Sequence, residues 1–457
     1  MNDKQTVRLA SGSGFWGDAL DPAIEVLEKG NLDYLCFDYL AELTMALLQR
    51  TLNKDPSAGY IPDLLQHLKV LMPIARRQGT RLLSNGGGVN PLAGAKAVVH
   101  IAEEQGLRGL KVAAVEGDNL VHDLDKLAAS GERFLNMETG EDRFSEIRDR
   151  IVCANVYTDA SGMREALIQG ADVVIAGRVS DNAVYVAPLM HEFGWDYRSG
   201  FDHQIGAAIT LGHIVECAAA CTGGMSSRFY AMPAMGKVGF PILEVNRDGS
   251  AIVTKVKGSG GRVDPFTIKE HLVYEIADPR NYVMPDGIAD FTTLCLKDLG
   301  EDRVKLTNMS GRPPPETLKA VIGYEDGWIG EGMLFFPWPN AMERAEKAQQ
   351  TLLERFERLQ LKSTEMQFDY IGVNCLHGPA APINVAELNE VGLRVAVHAR
   401  TREEAEKVRR ACTHLWIMGP GGTSFGTPLK PRPVISVWPT LISRSTVRQR
   451  VTIMEIK

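Results

Sequence analysis

The chain has 457 residues, with 50 Lys and Arg against 57 Asp and Glu, and a formal net charge of -7. The net charge is negative and the sequence has no long run of basic residues, which argues against nucleic acid as a partner. No apolar stretch approaches the ~20 residues that cross a bilayer, so we expect no membrane association.

Cysteine use and the amino terminus both indicate the cytoplasm. Seven cysteines stand at scattered spacings that make no disulfide framework. Residues 1–14 are polar and lack the apolar segment of a signal peptide. We therefore predict a cytoplasmic protein with reduced thiols.

The first 185 residues repeat one pattern, in which a short apolar run is followed by a break and a helical stretch. The runs are Thr6–Gly12, Asp33–Asp38, Thr80–Asn85, Lys111–Asp118, Ile151–Tyr157 and Asp172–Arg178. They are apolar without alternation, as strands covered on both faces are. We predict an α/β fold with a parallel, doubly wound sheet in the N-terminal half. An eight-stranded barrel is the alternative, although six units are too few for it.

Helices are predicted between these runs, over Ile61–Gln78, Pro91–Gln105 and Ser161–Gln169. Beyond residue 200 the pattern changes to a helix, Ile205–Ala220, and a hairpin, Ile242–Val256.

The triple proline excludes regular structure over Gly311–Pro315. We predict three regions: a parallel α/β domain over 1–200, an α+β region over 201–330, and a C-terminal α/β region over 331–457 packed on the core. The C-terminal part of the fold is thus expected to be mixed α+β.

Acidic, amide and glycine residues recur directly after the predicted strands. In parallel α/β sheets, ligands bind at the edge that is formed by the carboxyl ends of the strands. The residues that we assign to a shared site are Gly14, Asp18, Asp38, Glu42, Asn85, Gly86, Gly87, Gly88, Asn90, Glu116, Asp118, Asn155, Arg178 and Asp181. Any one of them could instead make a turn or cap a helix, but six consecutive strand ends favour a common site.

The acids of this set could meet at the sheet edge. Crowded carboxylates either bind a hard cation such as Mg²⁺ or Mn²⁺ or keep one proton for acid/base catalysis, and the sequence does not distinguish these cases. The acids that we predict to be catalytic are Asp38, Glu42, Glu116 and Asp118. Asp18 is assigned to substrate binding.

Two features of the first region predict anion binding. The glycines of Asn85–Gly88 allow backbone N–H groups to converge in front of a helix that starts at Pro91, which favours a cradle for a carboxylate or phosphate. Arg178 is predicted to clamp a substrate carboxylate with both arms of its guanidinium.

Two further groups lie beyond residue 200. His213 and Glu216 fall on one face of a helix and are predicted to be a second acid/base pair, with a buried structural pair as the alternative. A glycine-rich loop would suit the phosphate of a large activated substrate such as a coenzyme A ester, or would be the mobile end of a hairpin. Its candidate binding residues are Lys255, Ser259, Gly260 and Gly261.

The segment Gly12–Gly17 has the G-x-G-x-x-G spacing of a dinucleotide site and follows a predicted strand. Phe15 and Trp16 would crowd a pyrophosphate there, and Asp18 would repel it. An NAD(P)-dependent oxidoreductase is therefore the second functional hypothesis.

Several phrases of the sequence resemble the acyclic terpene utilisation (AtuA) family. They are SGFWGD, DYLAELTMA, NGGGVNP, VEGDNL, GADVVIAGRVSDN, GHIVECAAACTGG, GSGGRV, GRPPPETLKA and GGTSFGTPLKPRP. The resemblance implies a bacterial catabolic protein for terpenoids or other branched or carboxylated compounds, many of which are processed as coenzyme A thioesters. It supplies no catalytic residues.

Longer relatives carry an additional small ferredoxin-like domain after this core. Its apparent absence here implies a separate small ferredoxin-like partner protein. The general frequency of oligomers further predicts a homo-oligomer.

The leading functional hypothesis is a lyase or hydratase that acts on a small carboxylate or an acyl-CoA thioester. Acid/base carboxylates and anion-binding loops suffice for adding or removing water next to a carbonyl. A third hypothesis is a non-catalytic subunit that completes its site only with the small partner.

Overall fold

The structure is a computed structural model that describes residues 4–198, 200–381, 388–426 and 429–457. The chain divides into two compact units. The first extends to Gly323 and includes Val437–Lys457, and the second is Tyr324–Ser436.

The elements follow in chain order. The strands are β1 (Thr6–Ser13), β2 (Tyr34–Phe37), β3 (Arg81–Ser84), β4 (Lys111–Glu116), β5 (Ile151–Val156), β6 (Val173–Ala176), β7 (Pro241–Asn246), β8 (Ala251–Lys255), β9 (Tyr282–Met284), β10 (Gly287–Asp290), β11 (Cys295–Gly300), β12 (Arg303–Thr307), β13 (Ser310–Arg312), β14 (Thr317–Pro337), β15 (Glu365–Ile371), β16 (Glu390–Ala399), β17 (Ser424–Phe425), β18 (Arg432–Ser443) and β19 (Arg450–Glu455). The α-helices are α1 (Asp21–Lys29), α2 (Glu42–Leu52), α3 (Pro62–Gln78), α4 (Pro91–Glu104), α5 (Leu124–Ala129), α6 (Phe144–Ile147), α7 (Ser161–Ile168), α8 (Ala183–Phe193), α9 (Asp202–Glu216), α10 (Pro265–Leu272), α11 (Ala341–Arg358) and α12 (Arg402–Met418).

One large sheet runs through the first unit in the order β11-β12-β8-β7-β1-β2-β3-β6-β4-β19. Its central strands β1, β2, β3, β6 and β4 are parallel, and β7 and β19 flank them antiparallel. The predicted α/β class and parallel block are confirmed, within a sheet that is mixed overall. The strand path ends at β11 and β19, which is an open sheet and not a barrel. The doubly wound arrangement stays a prediction.

All six predicted strands form, but β5 does not join that sheet. It pairs with β14, and just beyond it the Tyr157 N–H donates to the Lys319 carbonyl at 2.9 Å. Val156 N–H donates to the Asp118 carbonyl at 2.8 Å, which holds β5 beside the segment after β4. The prediction of a sixth parallel strand is wrong here, because a partner far along the chain takes the edge of β5.

The helices of the first region match their predicted positions. Helix α3 buries Leu64, Leu68 and Leu71 at helical spacing and ends at Gly79, whose φ of 74° is the left-handed conformation that glycine favours. Helix α4 begins after Asn90, whose side chain accepts the Ala93 N–H at 3.3 Å. Among the described residues, no helix combines the length and apolarity needed to cross a bilayer.

Residues beyond 200 extend the same sheet. Strand β7 pairs antiparallel with β1, with Ile242 opposite Ala10, and β8 completes the predicted hairpin. Because this pairing joins β7 to β1, the first compact unit contains the residues on both sides of position 200. Helix α9 ends at Glu216, before the predicted Ala220, and a 3₁₀ turn follows.

Gly311 and Arg312 lie in strand β13, which pairs with β10. The prediction that Gly311–Pro315 excludes regular structure is therefore wrong for these two residues. The three prolines come after the strand ends, so the chain can pair up to the first of them.

From β14 to β18 the longer elements follow in the order strand, helix, strand, strand, helix, strand, made by β14, α11, β15, β16, α12 and β18, with the short β17 before β18. The second unit holds this segment except for the start of β14 and the end of β18. Strand β14 pairs with β16, β17 and β18, and β15 pairs with β16. The succession βαββαβ of the longer elements is that of the ferredoxin-like fold. The sequence analysis did not predict this topology within the chain.

Gly206 of α9 marks a close approach between backbones. A Cβ at this position would lie 2.5 Å from the Gly311 Cα. We expect Gly206→Ala to destabilise the protein by about 1–3 kcal/mol, despite the better helix propensity of alanine, because neither backbone can yield. The midpoint of thermal unfolding should fall by several degrees. Gly236→Ala is the control, since nothing lies within 4 Å of its Cβ. Equal midpoints for both variants would contradict the packing.

Candidate functional site

Three carboxyl groups meet at the carboxyl edge of the parallel strands. Asp38 follows β2, Asp181 lies in the loop after β6, and Glu216 is the last residue of α9. One carboxylate oxygen from each lies within 4.8 Å of the other two. We call Asp38, Asp181 and Glu216 the carboxyl cluster.

Arg178 is the cation beside the carboxyl cluster, and its side chain is 2% exposed. Nη2 lies 2.9 Å from Asp181 Oδ1, an ion pair that is not aligned as a hydrogen bond. Nη1 donates to the Leu40 carbonyl at 2.8 Å, and the guanidinium carbon lies 3.9 Å from the centre of the Tyr157 ring. Both terminal nitrogens are engaged in contacts within the protein, so the structure does not present them as the predicted two-armed clamp on a substrate carboxylate.

Amide and carboxyl side chains hold these groups in place. Asn85 Nδ2 donates to Asp38 Oδ1 at 2.5 Å, while Asn85 Oδ1 accepts the Tyr39 N–H. Asp118 accepts the backbone N–H of Arg178 and the Nδ2 of Asn155, the latter at 2.8 Å. Asn85, Asn155 and Asp118 therefore position the centre and do not belong to the cluster itself.

His213 and Glu216 are in contact, as their helical spacing predicts. Glu216 Oε1 lies 2.9 Å from His213 Nδ1, and His213 Nε2 lies 3.2 Å from the Leu272 carbonyl. The His213 ring stacks on Phe291, with ring centres 5.4 Å apart. Glu216 Oε2 is buried, with no hydrogen-bond partner in the described part of the chain.

Burial dominates the electrostatics of this region. It raises the pKa of Asp38 well above its usual range, and the nearby Asp181 raises it further, whereas Arg178 lowers it. Burial likewise raises the pKa of Glu216, with Asp181 adding to the effect. Burial lowers the pKa of His213 to about 4. Burial therefore opposes ionisation of Asp38 and Glu216, where one guanidinium stands beside three carboxyl groups.

Asp181 gives the cluster its contact with solvent. Its side chain is 33% exposed, whereas Asp38 is 6% and Glu216 is 8% exposed. At the other end of the cluster the chain is tightly packed, since a Cβ on Gly14 would lie 2.7 Å from the Cys217 carbonyl carbon. Gly14 thus allows the end of β1 to approach the end of α9.

The structure does not form the predicted anion cradle at Asn85–Gly88. Its three glycines are buried, and each N–H donates within the protein: Gly86 to Ser84 Oγ, Gly87 to the Ala176 carbonyl and Gly88 to the Asn85 carbonyl. Asn90 caps α4 and also donates to the Ala58 carbonyl. No N–H of the loop is left for a ligand.

The second glycine-rich loop is also closed. Lys255 Nζ donates to the Ser259 carbonyl at 2.8 Å and pairs with Asp302 at 3.0 Å. Gly260 N–H donates to the Lys237 carbonyl and Gly261 N–H to the Pro233 carbonyl. These contacts support the turn, so the predicted phosphate site is not formed by these groups.

Besides Asp118, three more of the predicted acids lie outside the carboxyl cluster. Glu116 pairs with Arg450 of β19 at 2.8 Å, and Glu42 pairs with Lys319 at 2.5 Å. Asp18 Oδ2 accepts the Gly14 N–H at 2.8 Å. A dinucleotide pyrophosphate would accept hydrogen bonds from the backbone N–H groups of this turn. The Asp18 carboxylate already accepts the Gly14 N–H, which is unfavourable for the nicotinamide hypothesis.

Sequence reasoning missed two residues near the centre. Tyr157 stacks on Arg178, and its ring centre lies 5.3 Å from Lys319 Nζ. Tyr157 is the last residue of the predicted strand Ile151–Tyr157 and directly follows the observed strand β5, so its place at a strand end was a signal that it could belong to the site. Lys319 comes from β14 and had no signal in the sequence. Asp181 was assigned to substrate binding and not to the acids.

Loss of Arg178 should be costly, because it would leave the buried carboxyl groups without a counter-charge. We expect Arg178→Met to destabilise the protein by about 3–5 kcal/mol. Adding Asp181→Asn should restore part of that stability. Arg148→Met is the control, since its ion pair with Asp125 is exposed, and it should cost within about 1 kcal/mol. Thermal unfolding measures all three. Equal effects of R178M and R148M would show that the cluster does not depend on Arg178.

No curated protein and no solved structure matches this chain significantly. One family model does, described as acyclic terpene utilisation family protein AtuA, and it matches residues 7–453 of the 457. The match covers nearly the whole chain and confirms the resemblance that its motifs indicate. The chain therefore belongs to the AtuA family of acyclic terpene utilisation proteins.

Proposed function

We propose that this protein is a catabolic enzyme that acts on a small branched carboxylate or its acyl-CoA thioester, as a lyase or hydratase. The observation that carries the proposal is the carboxyl cluster of Asp38, Asp181 and Glu216. Family membership supports a role in terpenoid breakdown. The reaction class goes beyond the family description and rests on the cluster.

Carboxyl groups at one point of a sheet edge suit addition or removal of water next to a carbonyl. One group takes the proton beside the carbonyl, and another returns a proton to the leaving oxygen. Asp181 is the group that a substrate can reach, since its side chain is partly exposed. Asp38 and Glu216 are fixed behind it by Asn85 and His213.

An anionic substrate needs a cation that is accessible. Arg178 is buried and engaged, whereas the side chain of Lys319 is 36% exposed and lies at the same tyrosine ring. Lys319 pairs with Glu42 in an exposed setting, where an ion pair contributes little and is readily exchanged. We therefore assign the carboxylate of the substrate to Lys319.

The test is turnover of branched and unsaturated carboxylates and their coenzyme A thioesters, followed by mass spectrometry. For a substrate that the wild type converts, Asp181→Asn and Glu216→Gln should lower kcat at least about a hundredfold, because each removes a proton carrier. Glu116→Gln should retain activity, since Glu116 pairs with Arg450 at the edge of the sheet. Full activity in D181N and E216Q would refute the assignment.

The proposed partners can be tested with the same samples. If the small ferredoxin-like protein is required, the purified chain turns over no substrate alone and gains activity when that protein is added. Light scattering on the purified chain measures the proposed homo-oligomer.

A further inference from the structure

We propose that Asp38, Asp181 and Glu216 form a binding site for one hard divalent cation, Mg²⁺ or Mn²⁺. The proposal concerns binding alone and does not depend on the reaction class. It selects three acids that the sequence did not group together, and it leaves out Glu42, Glu116 and Asp118.

The spacing of the three oxygens fits such an ion. A six-coordinate Mg²⁺ has oxygen ligands at about 2.1 Å, so neighbouring ligands lie about 3 Å apart and opposite ligands about 4.2 Å. The three cluster oxygens all lie within 4.8 Å of one another. A single ion between them would reach all three after small side-chain movements. Since each of the three donors is a carboxylate, the set suits Mg²⁺ or Mn²⁺ better than softer metals.

Glu216 provides a second, independent observation. Its Oε1 is held by His213 Nδ1, whereas its Oε2 is buried and has no hydrogen-bond partner among the described residues. Glu216 is only 8% exposed. A buried carboxylate oxygen without a partner is unfavourable, and a bound cation would satisfy it.

The charges of the centre support the same conclusion. An ion bound between the three groups would take the place of their protons. Three carboxylates beside one guanidinium would then carry two net negative charges, which one divalent ion would neutralise. Arg178 cannot provide more compensation, because its terminal nitrogens are already used by Asp181 and Leu40. The partly exposed side chain of Asp181 gives the ion a route from solvent.

The test is titration of Mn²⁺ into protein stripped with a chelator, with the free ion followed by electron paramagnetic resonance. We expect one bound Mn²⁺ per chain, competed by Mg²⁺. Asp181→Asn and Glu216→Gln should each weaken binding at least about tenfold. Asp123→Asn, at an exposed aspartate, is the control and should bind as the wild type does.

Thermal unfolding without metal checks that the variants are folded. Asp181→Asn is the safer of the two, because its side chain is partly exposed. No stoichiometric binding, or binding that both variants leave unchanged, would overturn the proposal. Because no substrate is present, either result leaves the proposed lyase reaction to be judged by turnover alone. An effect of the bound ion on kcat would then show whether it takes part in the reaction.

Discussion

This region of the structure depends on one constraint, the meeting of three carboxyl groups, two of them buried, with one buried guanidinium. Burying an unpaired charge is costly, whereas burying apolar groups is favourable. The neighbours of the centre therefore make contacts that hold its charged groups. Asn85 holds Asp38, Asp118 holds the backbone of Arg178, and His213 holds Glu216. Tyr157 covers the guanidinium. One guanidinium for three carboxyl groups distinguishes this centre from an ion-pair network in which each acid has its own cation.

The fold explains why these groups come together although they lie far apart in sequence. Strands β2 and β6 are parallel members of one sheet, so their carboxyl ends lie at the same edge. Helix α9 brings Glu216 to that edge, where Gly14 lets the chain pass close to Cys217. The antiparallel pairing of β7 with β1 makes residues beyond 200 part of the same sheet. The centre is thus built by elements from both of the first two predicted regions.

Local patterns were sufficient to predict the strands, several helices and the individual residues Asp38, Arg178, Asp181 and Glu216. They were insufficient to predict which of these meet, because that depends on long-range pairing. In the sequence, Glu116 and Asp38 both lie at the ends of predicted strands and look equivalent. In the structure, Glu116 is paired with Arg450, which comes from a strand near the carboxyl terminus. The glycines after Asn85 looked like an anion cradle, yet their N–H groups are used by acceptors such as the Ala176 carbonyl. The ferredoxin-like succession of elements from β14 to β18 likewise depends on strand pairing that no local motif encodes.

The most direct test of this account is the anomalous scattering of crystals grown with Mn²⁺. The central claim is that Asp38, Asp181 and Glu216 act as one centre that requires positive charge. The account predicts a single strong peak in the anomalous difference map, within coordination distance of about 2.0–2.5 Å of an oxygen from each of the three side chains. A map without a peak there, from crystals in which the ion is bound elsewhere or not at all, would contradict it.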